Sequence, residues 1–341
     1  MKSNLRTFLI TLAVTAIPFS AAQAEETNFE PKLKIGGLIF ANYHYDLSKD
    51  AKPNNVFEIQ RVYLNFKAKM TDSFSARVTT DVGNIKSSIG TSDPDVEIEF
   101  KDDQKIRAFL KYAYLEYKNK DLGLKLRFGA AGTPFIGKHD KFVGQRWISK
   151  AFADEVKVLS SSDLGIHVMG KHMDGLVDYQ VSIINGSGYG KKEADDGKAT
   201  QVRVTVDPLS GGDMSMPISA FISYDVGAGS DAAMIAAGSV GFKHEMVKAW
   251  GEFLFTSAGD ITGMGFSATL LPKIPSVGNL MMRLDRMDPD TSVDDDATMR
   301  IIGGLTHDFA KKISVGLIYE RSMPEAGDDS HAVFVKTQAG F

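Results

Sequence analysis

The sequence contains no cysteine and, beyond residue 24, no apolar run approaching the ~18 residues of a membrane-spanning helix. The first absence excludes a disulfide framework and a thiolate metal site. The second excludes insertion into a membrane through helices. A basic excess is also missing: 39 lysines and arginines stand against 43 aspartates and glutamates, a formal net charge of -4. This balance argues against a nucleic-acid partner, whose protein surface would be basic.

Residues 1–24 have the three parts of a secretory signal peptide. Lys2 and Arg6 form a basic start, an apolar run extends to Phe19, and Ala22-Gln23-Ala24 is a cleavage site. The alternative is an uncleaved anchor, for which the apolar run falls short of the ~20 residues needed. Cleavage leaves 37 basic and 43 acidic residues, a net charge of -6. With no linker or repeat in sight, residues 25–341 are predicted to form one domain.

After the signal, apolar and polar side chains alternate along successive segments. The clearest case is 57–69, where Val62, Leu64 and Phe66 share one face and Arg61 lies on the other. Successive side chains of a strand point to opposite sides, so a period of two residues predicts β-structure.

Sixteen strands are predicted. They span about 32–45, 56–69, 73–83, 105–118, 122–131, 163–172, 176–185, 199–207, 216–225, 233–244, 247–256, 262–271, 278–287, 297–308, 312–321 and 330–341. Turns after even-numbered strands are short and connections after odd-numbered strands include long ones, namely 84–104, 132–162 and 186–198. Short periplasmic turns and long outer loops are typical of bacterial outer-membrane barrels. A soluble β-sandwich, the alternative, has no reason to sort its loops by end.

A closed barrel also satisfies the backbone in lipid. An open sheet would leave two edges of unpaired N–H and C=O groups, each costing several kcal/mol in hydrocarbon. Sixteen strands enclose a space too wide for their own side chains to fill, so an aqueous channel should remain. The prediction is an all-β, sixteen-stranded antiparallel transmembrane barrel that passes small hydrophilic solutes by passive diffusion.

Three stretches carry a resemblance to a known family. They are 58–69 (EIQRVYLNFKAK) with 71–82, 111–118 (KYAYLEYK), and 126–135 (LRFGAAGTPF), the last followed by an aromatic and basic loop. These segments resemble the bacterial porins of the phosphate-selective porin O/P type. The resemblance is good over about 32–165 and only general afterwards.

The resemblance implies a homotrimeric channel of the bacterial outer membrane, with the third long loop folded into the lumen. The terminal Phe341 resembles the end signal recognised by the barrel assembly machinery. The implied partners are therefore outer-membrane lipid, two further copies of the chain, that machinery and the transported solutes. No cofactor is implied.

The loop 132–162 is the longest connection, and structureless loops of this size are usually functional. Its candidate constriction residues are Lys138, His139, Lys141, Arg146 and Lys150. Folding inward would place a mildly positive segment across the pore. The alternative is an extracellular surface loop.

Basic residues also gather on the polar face of predicted strands two to five. They are Arg61, Lys67, Lys69, Arg77, Arg107, Lys111, Lys125 and Arg127, with Asp81 as the only acid. Facing lipid would cost about 2–4 kcal/mol for each cation near the midplane, so they should face the lumen. Charges lining a pore set its selectivity, which predicts a modest preference for anions, with phosphate as one candidate. Alternatively, these cations merely pair with acids across the lumen. On the same face of the later strands the charges balance, with Lys171, Arg203, Arg283, Arg300 and Lys336 against Asp178, Asp225, Glu252, Asp285 and Glu320.

Other functions receive less support. The acidic segments 93–103 and 288–296 lack the spacing of a calcium loop, so no metal site is predicted. The seven histidines are scattered and no G-x-S-x-G motif occurs, so no catalytic residue is assigned. A structural or adhesive barrel would need a plugged lumen, and the strands begin too early for an N-terminal plug.

Overall fold

The computed structural model describes residues 30–84, 106–191, 193, 195–210, 213–227 and 232–341. The predicted signal peptide at 1–24 and the acidic segment 93–103 lie outside these residues. Within them the chain forms sixteen strands: β1 Lys32–Asp46, β2 Asn55–Lys69, β3 Phe74–Asn84, β4 Ile106–Asn119, β5 Leu124–Gly132, β6 Ser162–His172, β7 Val177–Ile184, β8 Lys198–Val206, β9 Ile218–Val226, β10 Ala233–His244, β11 Val247–Ala258, β12 Ile261–Ile274, β13 Gly278–Asp288, β14 Thr298–Ala310, β15 Ile313–Pro324 and β16 Ser330–Gly340.

The strands close into one antiparallel barrel, which confirms the predicted fold. Each strand pairs with its neighbours in sequence, and β1 pairs with β16, with Leu38 opposite Gly340. Phe341 extends this seam: its backbone N–H donates to the Gly37 carbonyl and its carbonyl accepts from the Gly37 N–H, both at 3.1 Å. Closure leaves no open sheet edge, which is the condition for placing strands in hydrocarbon.

The two faces of the wall differ as the alternation predicts. On β9, Phe221 is 4% exposed and Ser223 is 3% exposed, whereas the adjacent Ile222 is 47% exposed and Tyr224 is 50% exposed. The exposed, apolar face is the outer surface, and the buried face lines the lumen. Polar side chains fit the lumen because water and other polar groups satisfy them there, whereas lipid does not.

Short and long connections lie mostly at opposite ends of the barrel. The end with the short connections is the turn end, and the opposite end is the loop end. At the turn end the connections comprise two to four residues after six of the seven even-numbered strands that connect onward, for example 245–246 between β10 and β11. The exception is 207–217, between β8 and β9, which is longer than the predicted pattern. At the loop end, the connection 259–260 between β11 and β12 is as short as a turn. Length alone therefore distinguishes the ends only on average.

The connection between β5 and β6 lies inside the barrel. It contains two helices, α1 Pro134–Val143 and α2 Phe152–Glu155. Proline at the start of α1 fits the first helical turn, and Gly144 ends the helix with a φ of 74°, a left-handed conformation that glycine adopts without strain. Helix α1 packs against β7, β8 and β11, which lie within one arc of five consecutive strands of the barrel. This segment is called the constriction loop below.

None of the described helices is long and apolar enough to span a bilayer.

Two apolar clusters attach the constriction loop to the wall. In the first, Val143, Trp147 and Ile148 of the loop pack with Trp250 and Ile302 among other wall residues. In the second, Phe135, Ile136, Phe152 and Leu159 pack with Phe221, Ala237 and Leu254. Burying a side chain of this size contributes about 1.5–3 kcal/mol, so the loop is a fixed part of the lumen.

Candidate pore and constriction

A β-bulge rearranges the lumenal face of β4. The pairing with β3 shifts between Thr79 and Thr80, so that Tyr112 lies opposite Thr79 and Leu110 opposite Thr80, with Lys111 as the extra residue. A bulge inserts one residue and reverses the inside–outside alternation beyond it. Both Lys111 and Tyr112 consequently reach the lumen, and so does Glu116.

Glu116 corrects the expectation that Asp81 is the only acid on this arc. The Arg127 Nε donates to the Glu116 carboxylate at 2.7 Å, and the Arg127 guanidinium also stacks 4.6 Å from the centre of the Tyr114 ring. Simple alternation from Lys111 would have pointed Glu116 at lipid. The bulge is the reason it does not.

Arg61 is also paired with an acid. Its Nη1 donates to Asp81 at 2.8 Å, and the Asp81 side chain is fully buried. Asp81 thus holds Arg61 against the wall. The predicted pairing of lumenal cations with acids applies to Arg61 and Arg127.

Arg77 has neutral partners instead. Its guanidinium donates to the Asn65 amide oxygen at 2.7 Å and the Thr79 hydroxyl at 2.9 Å, and lies 4.5 Å from the centre of the Tyr112 ring. Among the described residues no carboxylate lies within ion-pair distance of it. Its positive charge is therefore oriented without being compensated nearby.

Lys111 is held in a similar way by hydroxyl groups and rings. Its ammonium donates to the Ser161 hydroxyl at 3.0 Å and lies 3.5 Å from the Tyr189 hydroxyl. The rings of Tyr189, Tyr63 and Tyr112 have centres 4.6, 5.3 and 5.8 Å from the same nitrogen. A cation over ring faces is stabilised by about 0.5–2 kcal/mol.

The other predicted wall cations lie nearer the barrel ends. Lys69 pairs with Asp72 at 2.5 Å in the β2–β3 turn, with more than half of its side chain exposed. Lys67 and Lys125 also lie toward the turn end, whereas Arg107 lies opposite Gly83 near the loop end of β3 and β4. The structure therefore spreads the eight residues along the pore axis rather than gathering them in one ring.

Within the constriction loop, Arg146 connects two carboxylates. Its Nη1 donates to Asp140 and its Nη2 to Asp154, both at 2.9 Å. Burial acts to raise the pKa of Asp140, but the Arg146 guanidinium outweighs it, so the pKa lies below its ordinary value. His139 is 3% exposed and packs edge-on to Trp250, with ring centres 5.6 Å apart. These contacts of Arg146 and His139 therefore stabilise the conformation of the constriction loop.

Wall cations hold both halves of the loop. On one side, Asp178 accepts from Lys138 of the loop at 2.5 Å and from Arg203 of the wall at 2.6 Å, and the Arg203 Nε donates to the Pro134 carbonyl. On the other side, Arg283 donates to the Lys150 carbonyl at 2.6 Å. Sequence reasoning placed Arg203 and Arg283 in the lumen but did not identify them as anchors of the loop.

Lys336 and Arg300 complete the second attachment. Lys336 donates to the Ile148 carbonyl at 2.6 Å, and Arg300 lies 3.2 Å from a carboxylate oxygen of Glu155. The sequence pattern indicates that Lys336 and Arg300 face the lumen, but it does not indicate which atoms of the loop they contact.

The constriction loop separates two cavities. The loop-end vestibule has a volume of about 640 Å³, and the turn-end vestibule about 770 Å³. Charged residues lining the loop-end vestibule are Arg61, Arg146, Lys150, Arg300, Arg321, Lys336, Asp46, Glu58, Glu155 and Glu320. Those lining the turn-end vestibule are Arg77, Lys125, Arg127, Lys138, Lys141, Lys171, Arg203, Lys243, Asp174, Asp178 and Asp207. Strands β2 to β4 run past both, with Tyr63, Asp81 and Lys111 between them.

The residues that could bind a metal or act as a nucleophile do not form such a site in the described lumen. In the described part of the chain, no three acidic or histidine side chains gather as metal ligands would. His167 contacts the Ser182 hydroxyl at 3.0 Å, but the two side chains are 0% and 1% exposed within the wall. A nucleophile at that depth cannot meet a substrate, so this contact supports the wall rather than a reaction.

Comparison with known proteins adds a family and a set of shared folds. The family described as phosphate-selective porin O and P matches residues 33–223, more than half of the chain. No curated protein sequence matches this chain.

Three solved structures illustrate the similarity of fold. OmpF of Salmonella typhi in complex with daunomycin is 10% identical with a TM-score of 0.64, covering 92% of this chain and 99% of that one. The anion-selective porin from Comamonas acidovorans is 14% identical with a TM-score of 0.60, covering 92% and 100%. The trimer form of in-vitro folded OmpT of Vibrio cholerae is 9% identical with a TM-score of 0.57, covering 91% and 99%. At identities of 9–14%, these similarities show a shared fold and nothing further.

Proposed function

The chain belongs to the phosphate-selective porin O and P family and is a channel protein of the bacterial outer membrane; from this premise we propose that it passes small hydrophilic solutes passively, with a modest preference for anions. The two vestibules are the ends of the path, and the wall formed by β2 to β4 connects them past the constriction loop. The constriction loop limits solute size because both of its halves are tied to the barrel.

The anion preference is supported chiefly by the lumenal cations that no carboxylate compensates. Arg77 lines the turn-end vestibule and Lys111 lies in the wall between the two cavities, with hydroxyl, amide and aromatic partners. Arg77 is oriented in advance, so a passing anion meets it without a large reorganisation of the wall. Lys111 is 3% exposed and acts on the anion through its field. Arg61 and Arg127 contribute less because each has a carboxylate partner at 2.7–2.8 Å.

The magnitude of the effect follows from Coulomb's law. A unit charge 4 Å from an ion contributes about 1 kcal/mol in water, which corresponds to roughly a five-fold change in ion occupancy. Removing one such cation should therefore change selectivity measurably, whereas removing an exposed lysine at a turn should not.

The test is the reversal potential of purified protein in planar bilayers under a KCl gradient. Wild-type protein should show anion selectivity, and Arg77→Gln and Lys111→Gln should each lower the chloride-to-potassium permeability ratio roughly two-fold or more. Lys120→Gln, at the exposed β4–β5 turn, is the matched control and should leave the ratio unchanged. A cation-selective wild type, or equal ratios in all four proteins, would contradict the proposed preference. Competition by inorganic phosphate with chloride current then tests whether phosphate is favoured.

We further propose a homotrimer, cleavage of residues 1–24, and recognition of Phe341 by the barrel assembly machinery. A structure with this architecture is recorded in a trimer form, which supports the first point by analogy of fold. Chemical cross-linking of the native membrane followed by mass measurement tests it, and N-terminal sequencing of the mature protein should begin at Glu25. We propose no structural or adhesive role, which would need a plugged lumen, since two cavities lie inside the barrel. We assign no catalytic role, since the His167–Ser182 contact is buried in the wall.

A further inference from the structure

The two vestibules differ strongly in charge. Among the described residues, the turn-end vestibule is lined by eight basic and three acidic side chains, and the loop-end vestibule by six basic and four acidic ones. The formal excess is thus five positive charges at the turn end and two at the loop end, and pairing widens the difference.

Pairing neutralises the loop-end vestibule. Five of its six cations, all except Lys150, have a carboxylate within 3.2 Å. The pairs are Arg61 with Asp81, Arg146 with Asp140 and Asp154, Arg300 with Glu155 and Asp285, Arg321 with Asp329, and Lys336 with Glu320. Glu58 and Asp46 add negative charge at the same level. A mobile ion there meets little net field.

The turn-end vestibule keeps most of its charge, although Arg127 is paired with Glu116. Lys125, Lys141, Lys171 and Lys243 have no carboxylate within ion-pair distance in the part of the chain that the structure describes. Asp178, which is shared by Lys138 and Arg203, neutralises only one of those two cations. Counter-ions drawn from solution must balance the excess, so this half of the lumen is enriched in anions.

We infer that the channel rectifies: at equal and opposite voltages, more current flows when the loop-end compartment is positive. The inference rests on the proposed channel function. With that polarity, anions enter through the cation-lined turn end, while cations entering from the loop end are retarded by it, so both ions accumulate in the loop-end half and raise its conductance. The opposite polarity depletes that half of both ions.

The asymmetry must depend on salt. The Debye length is about 10 Å at 0.1 M and about 3 Å at 1 M, so wall charges control the ions in the lumen only at low concentration. We expect a ratio of currents of roughly 1.5 or more at about 0.1 M KCl, falling toward one at about 1 M.

The experiment measures current against voltage in planar bilayers with known orientation. The chain has no cysteine, so Ala332→Cys, in the loop-end vestibule, is a unique thiol. A polyethylene-glycol maleimide too large to cross the pore will reduce conductance only when added on the loop side, which identifies that side.

A quadruple variant removes the proposed cause. Replacing Lys125, Lys141, Lys171 and Lys243 by Gln should bring the ratio close to one at low salt while the channel still conducts. Replacing four lysines of the loop end, Lys49, Lys52, Lys191 and Lys198, by Gln makes an equal charge change and should preserve or increase the asymmetry. Heat-modifiable migration on gels confirms folding of each variant, and the wild-type salt series stands independently if the quadruple variant fails to fold.

The outcomes separate the two proposals. Absence of any conductance in wild type overturns the channel itself. A conducting wild type with equal currents at both polarities, or larger current with the loop side negative, overturns rectification and leaves the channel standing. Loss of asymmetry in the loop-end variant also overturns the assignment to the turn-end lysines.

Discussion

Arg146 should determine how firmly the middle of the constriction loop is held. In Arg146→Gln, Asp140 and Asp154 lose their common partner and remain close together as two carboxylates. Breaking a buried ion pair by removing one partner costs about 3–5 kcal/mol. The side chains retain 15–25% of their exposure, so screening lowers the expected cost to about 2–3 kcal/mol.

This cost should appear as local opening of the loop, since the barrel closes without it. About 2 kcal/mol corresponds to a roughly 30-fold change in an equilibrium constant. Hydrogen exchange followed by mass spectrometry should therefore show amides of α1 exchanging roughly 30-fold or more faster, while peptides from β9 and β10 remain as in wild type.

A compensated variant tests the cause. In Asp140→Asn/Arg146→Gln/Asp154→Asn, no uncompensated charge remains, and most of the lost protection should return. The reasoning fails if the single variant exchanges like wild type, or if the triple variant opens as readily as the single one.

Two further predictions concern closure and acidity. A Cβ at Gly37 would lie 2.2 Å from ring atoms of Phe341. Gly37→Leu should therefore displace that ring from the β1–β16 seam and reduce the yield of heat-modifiable barrel. Phe341→Ala in the same background should not reduce the yield further. Because the pKa of Asp140 is lower in the folded loop than in an unfolded chain, its stabilising contribution is complete above about pH 4 and disappears as the pH falls through the lower folded value. Loop hydrogen exchange, corrected for intrinsic rates, should therefore accelerate only below about pH 4 in wild type and lose this dependence in Asp140→Asn; acceleration beginning near pH 6 would contradict it.

The strands were predictable because their signal is local. Alternation with a period of two is imposed by lipid on one side and water on the other, and each strand shows it without reference to its neighbours. The predicted ends lie within a few residues of the observed ones, as for 233–244, which coincides with β10.

The bulge in β4 was not predictable in this way. Lys111 and Tyr112 are consecutive, and alternation permits only one of them to face the lumen. What places both inside is the register of β3, where Thr79 and Thr80 face Tyr112 and Leu110. That information belongs to a pair of strands, so Glu116 was assigned to the wrong side.

The partners of the lumenal cations could not be predicted from the sequence either. Arg203, Arg283 and Lys336 are far from the loop in sequence, yet each donates to a loop carbonyl. Charge alternation identified them as lumenal, but backbone carbonyls carry no residue-specific signal. Most site residues predicted from sequence therefore brace the loop or line the cavities, and their role in conduction stays a prediction. Lys67, Lys69 and Arg107 lie nearer the barrel ends, and Lys111 lies in the wall between the cavities.

The apolar clusters beneath the constriction loop have a consequence for how this protein can change. Described residues of β11, β12 and β13 line neither vestibule, because that arc is occupied by Trp147, Phe152 and their neighbours. The opening is thus off-centre, and the apolar contacts of the loop with β11 to β13 are separate from the surface that solutes touch. Evolution, or an engineer, can exchange side chains on the conducting arc to admit a different cargo while the scaffold on the far side keeps the gap at its width.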